Sequence, residues 1–209
     1  SPATLALDSG DLAEPQSILF ASGSDKQQVH AFYYPPTNAQ YCGIEGELPP
    51  VIALCHGGPT GSADSGLNLK LQYWCNRGFA VVDINYRGST GFGRAYRHSL
   101  AGAWGIADVQ DTQQAIGYLT EQHIIDPQRC LIRGGSAGGY TVLSALTFTD
   151  TFQAGASLYG IGDLEPLAKD THKFESRYMD SLIGPYPERR DIYLERSPIH
   201  HAEGLNCPV

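Results

Sequence analysis

The sequence predicts an α/β fold, a mainly parallel sheet with helices on both faces in three layers (α/β/α). Three observations predict it. The run Val51-Ile52-Ala53-Leu54-Cys55 is continuously apolar, the mark of a strand buried on both faces of a parallel sheet. Strand-like and helix-like segments then alternate along the chain, a rhythm that requires right-handed crossovers. Finally, Cys130 to Tyr140, C-L-I-R-G-G-S-A-G-G-Y, joins a strand end to a helix start through a glycine turn with one serine at its centre.

Residues 1–16 are polar and irregular and read as a connection from something upstream. Ser17 to Ala21 and Gln28 to Tyr34 alternate as an antiparallel pair around Gly23-Ser24-Asp25. Pro35-Pro36 stops the second strand, because proline has no N–H for a ladder, and a Pro/Gly-rich loop reaches Pro49-Pro50. After the 51–55 strand, Leu67 to Arg77 carries Leu67, Leu69, Leu71, Tyr73 and Trp74 ahead of Gly78, a helix closed by a glycine cap. Phe79 to Ile84 is the next buried strand. The glycine-punctuated loop from Asn85 to Gly93 leads on to Gly105-Ile106, where Ile106, Val109, Ile116 and Leu119 set the stripe of a long amphipathic helix. Asp126-Pro127 turns the chain into the strand before Ser136, and Val142, Leu143 and Leu146 give helical spacing over Tyr140 to Leu146. Phe152 to Tyr159 reads as a strand, a polar stretch with helical pieces runs to Glu203, and Cys207-Pro208-Val209 looks like another strand starting.

The chain has 209 residues, 42% hydrophobic and 17% charged, enough for one substantial core and too few for two comfortable domains. A formal net charge of -8 with no Lys/Arg run argues against a nucleic-acid partner. No apolar stretch approaches the length of a membrane span, and S-P-A-T-L-A-L-D lacks the basic region and apolar core of a leader, so no membrane partner and a cytoplasmic location are expected. Cys42, Cys55, Cys75, Cys130 and Cys207 are odd in number and lack metal-like spacing, which predicts reduced, mostly buried thiols and no metal site.

Gly134-Gly135-Ser136-Ala137-Gly138 spells G-x-S-x-G, the pattern of a nucleophile elbow. A serine on a sharp, strained turn leaves no room for side chains two positions either side, which is why glycine stands at both places. Ser136 is therefore the candidate nucleophile. Ala137 N–H, at the start of the following helix, is the first donor for a developing oxyanion. A tetrahedral intermediate needs a second donor, and His56-Gly57-Gly58-Pro59 follows the 51–55 strand where an H-G-G loop supplies one, through Gly58 N–H. Alone, that tetrapeptide is an ordinary glycine turn. His56 beside these glycines is expected to brace the loop rather than act as base. His200-His201 is a poor metal pair, because adjacent side chains diverge. Arg87, Arg94 and Arg97 are expected to pair with local carboxylates rather than bind a substrate carboxylate. Tyr159, at the end of the strand after the elbow helix, is expected to line the acyl-side pocket, since strand C-termini surround the site in such sheets.

With these residues in hand, the chain resembles the hydrolase domain of the prolyl oligopeptidase family, in its acylaminoacyl-peptidase and dipeptidyl-aminopeptidase-like branch. The likeness rests on His56-Gly57-Gly58-Pro59-Thr60, on N-Y-R-G-S-T-G-F-G-R-A-Y-R from Asn85 to Arg97, on W-G-I-A-D-V-Q-D from Trp104 to Asp111, on the elbow, and on R-S-P-I-H from Arg196 to His200. It implies an α/β-hydrolase fold and a serine peptidase that cleaves short peptides or acylated amino acids without a cofactor. It also implies a β-propeller upstream, connected through residues 1–16, with residues 17–209 forming the catalytic domain. The family's triad aspartate follows a strand that begins like Cys207-Pro208-Val209, and its histidine comes later, so neither triad partner is expected in this chain. Asp163, Asp170, His172, His200 and His201 do not sit in the family's triad motifs. The domain is thus expected to be truncated at its C-terminal end, inactive alone, and completed by a C-terminal segment, with homo-oligomerisation through an exposed strand edge also open. Two other functions share these motifs: an esterase or amidase on the same scaffold, and a non-catalytic hydrolase-like binding module.

Overall fold

Alternating burial in the first two strands sets one edge of the sheet. The computed structural model describes residues 8–170 and 176–209. In it β1 (Gln16–Ser22) and β2 (Gln27–Tyr34) form an antiparallel hairpin, and β2 pairs antiparallel with β4 (Ala80–Asn85). β3 (Val51–Cys55) lies parallel between β4 and β5 (Cys130–Gly135), and β5 is parallel to β6 (Ala154–Leu158). The resulting order is β1-β2-β4-β3-β5-β6. Register places Leu54 opposite both Asp83 and Arg133, so the carboxyl ends of three parallel strands finish side by side.

Each face of this sheet has a different cover. Val51, Ala53 and Cys55 of β3 point into a core shared with Val109, Ile116 and Leu119 of α3 (Ala107–Glu121) and with Val142, Ala145 and Leu146 of α4 (Ala137–Phe148). Ile52 points the other way, into a smaller core with Leu71 and Cys75 of α1 (Leu69–Cys75). Burying a side chain of leucine size contributes roughly 1.5–3 kcal/mol, and more such side chains are buried on the α3/α4 face than on the α1 face. A third apolar cluster joins Trp104, Ala137 and Tyr140 to residues of α5 (Leu164–Asp170), α6 (Ser176–Leu182) and α7 (Arg190–Glu195).

The elements differ from the sequence reading mainly at their ends. Helix α1 starts at Leu69 instead of Leu67, because Asn68 caps it, its side chain accepting from the Lys70 and Leu71 N–H groups. Gly78 closes it at φ +90, donating to Cys75 O, as a C-terminal glycine does. A short helix, α2 (Gly93–His98), stands inside the stretch read as loop, and it brings Tyr96 into the core. The elbow helix starts at Ala137 rather than Tyr140, and β6 starts at Ala154 rather than Phe152. Cys207-Pro208-Val209 is not a strand, although Gly155 of β6 donates to Pro208 O at 3.0 Å. All five cysteines are free thiols; Cys55, Cys75 and Cys130 are buried, Cys207 is intermediate and Cys42 is exposed. Among the described residues no helix is long and apolar enough to cross a membrane. Residues 1–7 of the expected upstream connection, and His172, lie outside the described residues.

Candidate active site

β5 ends at Gly135 and α4 begins at Ala137, which leaves Ser136 alone between them at φ +55, ψ −121. A non-glycine residue in that region costs about 1–3 kcal/mol unless its surroundings hold it there. Two bonds do so: Ser136 N–H donates to Leu158 O at 3.1 Å, and Tyr140 N–H donates to Ser136 O at 3.0 Å. Two glycines of the pentad, Gly134 and Gly138, let the end of β5 and the head of α4 approach each other and β3. A Cβ at Gly134 would stand 2.9 Å from Cys55 O, and one at Gly138 would stand 2.7 Å from both the Cys55 carbonyl carbon and His56 O. With the backbone pressed this close, Ser136 is pushed outward. It is exposed, and its Oγ has no hydrogen bond to any described residue.

The H-G-G-P loop comes to the same place. A Cβ at Gly57 would lie 3.4 Å from Gly135 O and 3.7 Å from Ser136 Cβ. Gly58 sits at φ +129, and a Cβ on it would be 2.5 Å from Gly61 N, so only glycine fits there. The N–H groups of Gly58 and Ala137 have no acceptor among the described residues. Ala137 N–H, at the head of a twelve-residue helix, also carries the positive end of its dipole. Thr60 shares a 3.1 Å hydrogen bond with Tyr178, tying the loop to α6.

His56 lies in the loop's own framework. Its ring stacks on Tyr86 at 4.2 Å and 13°, shares a 2.6 Å hydrogen bond with Ser89 through Nε2, and meets Gly57 O at 2.8 Å through Nδ1. Tyr86 O–H donates to His56 O at 2.8 Å. Burial pulls the imidazole below its ordinary 6.5, against the bond to Gly57, which raises it. A neutral ring with both nitrogens engaged is a brace.

Tyr159 follows β6 at φ +44 and is 84% exposed. Its ring lies across the elbow, with ring atoms 3.2 Å from where a Cβ on Gly135 would stand. Beside it a cavity of about 390 Å³ opens, with His56, Asp83, Arg133, Gly135 and Tyr159 among its walls. Burial first, and Asp64 second, push the Asp83 carboxyl up to about 7.

The remaining candidates stand apart. Arg87 pairs with Asp111 of α3, Nη2 to Oδ1 at 2.9 Å, and its backbone N–H donates to Oδ2 at 2.6 Å. Arg94 and Arg97 are exposed and have no carboxylate partner among the described residues, so the expected local pairing holds for neither. His200 Nε2 is 3.9 Å from Asp163, and His201 packs on Phe148 instead of sharing an ion with it. Among the described residues no group of three His, Cys, Asp or Glu side chains could hold a metal.

Two groups behind the elbow went unread in the sequence. Tyr140 O–H donates to Arg196 O at 2.9 Å, and Arg196 Nη1 donates back to Gly102 O and Trp104 O. Thr141 Oγ1 donates to Asp108 Oδ2 at 2.6 Å. The signal was present in α3: Asp108, Thr112, Ala115 and Leu119 share its buried side, and a carboxylate on that side needs a buried donor.

Known proteins resemble this chain in sequence and in fold. The sequence signature of the prolyl oligopeptidase family matches residues 65–209. A puromycin-hydrolyzing peptidase from Mycobacterium tuberculosis superposes with a TM-score of 0.95 at 46% identity, covering 99% of this chain and 32% of that one. Dipeptidyl aminopeptidase BIII of Pseudoxanthomonas mexicana is 32% identical over 166 residues, 77% of this chain and 24% of that protein. An acylamino-acid-releasing enzyme of Arabidopsis thaliana is 30% identical over 196 residues, 88% of this chain and 25% of that protein. The chain thus spans about a quarter to a third of the length of these proteins.

Proposed function

The chain belongs to the prolyl oligopeptidase family, and from that membership we propose that it is the part of a serine peptidase that carries the nucleophile. The observation that carries the proposal is the exposed Ser136, strained at the head of α4 with Gly57 packed against it. Ser136 Oγ attacks a substrate carbonyl carbon, its proton passes to a histidine base, and the negative oxygen is met by Ala137 N–H and Gly58 N–H. The base then returns the proton to the leaving amine, and water repeats the sequence on the acyl-enzyme. No cofactor enters these steps.

We place the triad aspartate and histidine in a C-terminal segment of the parent protein, one that would also cover the open part of the α1 face, where Ile52, Trp74, Leu131 and Ala156 border a cavity. An upstream β-propeller, reached through residues 1–16, restricts entry to short substrates. Short peptides and acylated amino acids are the substrate class, which accords with the names of the relatives above, and Tyr159 lines the acyl side of the pocket. Free thiols at all five cysteines suit a cytoplasmic protein. The exposed edge at β6 is where a second copy would associate if the protein forms homo-oligomers.

The test is a fluorophosphonate probe on the full-length protein, followed by substrate profiling. Covalent labelling lost in Ser136→Ala is expected, with amide hydrolysis of N-acylated or dipeptidyl substrates. Hydrolysis of simple esters alone would favour an esterase, and no labelling at all would favour a non-catalytic module.

A further inference from the structure

Asp108 sits fully buried in the first turn of α3, directly behind the elbow helix. One carboxylate oxygen accepts from Gly105 N–H at 2.6 Å and the other from the Thr141 hydroxyl at 2.6 Å. The titratable groups that face it are Cys55 at the end of β3, Tyr86 after β4, Tyr140 on α4 and Asp111 on its own helix. None is a cation, whereas Asp111, one turn on, has Arg87. Burial accordingly pushes the Asp108 carboxyl up to about 6, with the Thr141 and Gly105 bonds opposing it. A carboxyl raised above its unfolded 3.8 is easier to fold protonated, so ionising it at neutral pH costs stability. A neutral amide of the same shape would be cheaper for folding alone.

What the charge does is set by Thr141. Its hydroxyl has two acceptors in reach, Asp108 Oδ2 at 2.6 Å and, one turn back on its own helix, Ala137 O at 3.3 Å. An ionised carboxylate accepts only, so it draws the hydroxyl proton outward. A protonated carboxyl, or an amide, donates to the hydroxyl oxygen and turns its proton back toward Ala137 O. Ala137 is the residue whose N–H faces the reacting carbonyl in the reading above. Gly105, the other partner of Asp108, is wedged against the Tyr140 hydroxyl, so the same carboxylate also fixes the turn that backs α4.

We infer that Asp108 is a positioning residue of the elbow: through Thr141 and Gly105 its carboxylate fixes the first turn of α4 so that Ala137 N–H points at the developing oxyanion. The inference rests on the serine-peptidase reading. A misplacement of about 1 Å in such a group costs up to about a hundredfold in rate.

In the full-length protein, Asp108→Asn and Thr141→Val are each expected to lower kcat about tenfold to a hundredfold with KM within about threefold, and the double variant is expected to be no worse than either. Thr141→Ser keeps the donor and is expected to restore the wild-type kcat. Below about pH 6 the wild-type kcat is expected to fall more steeply than a slope of one, by the further tenfold to hundredfold that protonating Asp108 removes on top of the base, and the Asn variant with a slope of one throughout. A purely structural role would lower the level without changing the slope. If Asp108→Asn fails to fold, the Thr141→Val and Thr141→Ser pair carries the test. A folded Asp108→Asn with wild-type kcat and slope, or single effects that multiply, would overturn the inference while leaving a silent Ser136→Ala intact. Turnover retained in Ser136→Ala would overturn reading and inference together.

Discussion

Gly138 and Cys55 are in direct backbone contact: a side chain on Gly138 would lie inside the van der Waals radius of the Cys55 carbonyl oxygen and 2.7 Å from its carbon. Position 138 is inside a helix, where alanine outranks glycine by about 1 kcal/mol, so propensity and packing pull in opposite directions. Packing wins, because neither a strand carbonyl nor a helix backbone can step aside. Gly138→Ala is expected to lower stability by about 3 kcal/mol or more and to abolish probe labelling. Gly117→Ala is the control, since a Cβ at Gly117 on α3 meets nothing within 4 Å. It is expected to raise stability by about 0.5–1 kcal/mol. Thermal melts of the two variants check both signs.

The strain at Ser136 can be measured separately from its chemistry. Glycine adopts φ +55 freely, gaining about 1–3 kcal/mol of strain relief against about 0.5–1 kcal/mol of chain entropy. Ser136→Gly is therefore expected to be inactive and at least as stable as the wild type by denaturant titration. A loss of more than about 1 kcal/mol would mean that the hydroxyl contributes to folding and that the turn is not strained.

The contrast between these two positions also shows what the sequence could convey. β3 and the hairpin were legible almost to the residue, because apolar runs and period-two alternation follow directly from burial on a sheet. The pentad was legible as a motif, yet Gly138-Gly139 was read as turn when both are helical. The helix tolerates them because Gly138 meets β3 and a Cβ at Gly139 would stand 2.7 Å from Gly160 Cα, contacts between segments far apart in sequence. α2 was missed for a related reason: it is six residues long, follows Gly91 and begins with Gly93, and has no side-chain cap, so only Tyr96 reaching the core defines it. Arg87 with Asp111 and Asp108 with Thr141 are pairs across 24 and 33 positions, and composition does not say which carboxylate belongs to which donor.

His56 supplies a pH dependence with a definite sign. Burial lowers its pKa in the folded state, so below 6.5 the unfolded chain binds a proton that the folded chain resists. The stability that the neutral ring contributes is complete above 6.5 and is lost as the pH falls toward its folded value. His30, lowered by burial as well, acts in the same direction. His56→Gln, which keeps a donor and an acceptor, is expected to be less stable at about pH 8 by roughly 1–3 kcal/mol but to lose less on acidification to about pH 5.5. Denaturant titrations at the two pH values check it. An acid loss as steep as in the wild type would assign that loss to other groups.

Residues 1–209 expressed alone are expected to be catalytically silent. Ser136 Oγ has no hydrogen-bond partner among the described residues, and the described histidines that have partners are engaged elsewhere, His30 with Ser17, His56 with Ser89 and His200 near Asp163. On the proposed placing of the base in a further segment, Ser136 in this chain alone loses roughly 10⁶ in kcat and keeps only about 10³–10⁴ over water from oxyanion donors and binding. Against peptide substrates such a residue of activity is below detection. The isolated chain is therefore expected to fold its sheet, to hydrolyse nothing measurable, and to regain turnover when mixed with a separately produced C-terminal segment of the parent protein. Hydrolysis by residues 1–209 alone, abolished by Ser136→Ala, would show that a base lies within this chain. His172→Ala, His200→Ala and His201→Ala would then be compared to identify it, and the placing of the triad histidine in a further segment would be wrong.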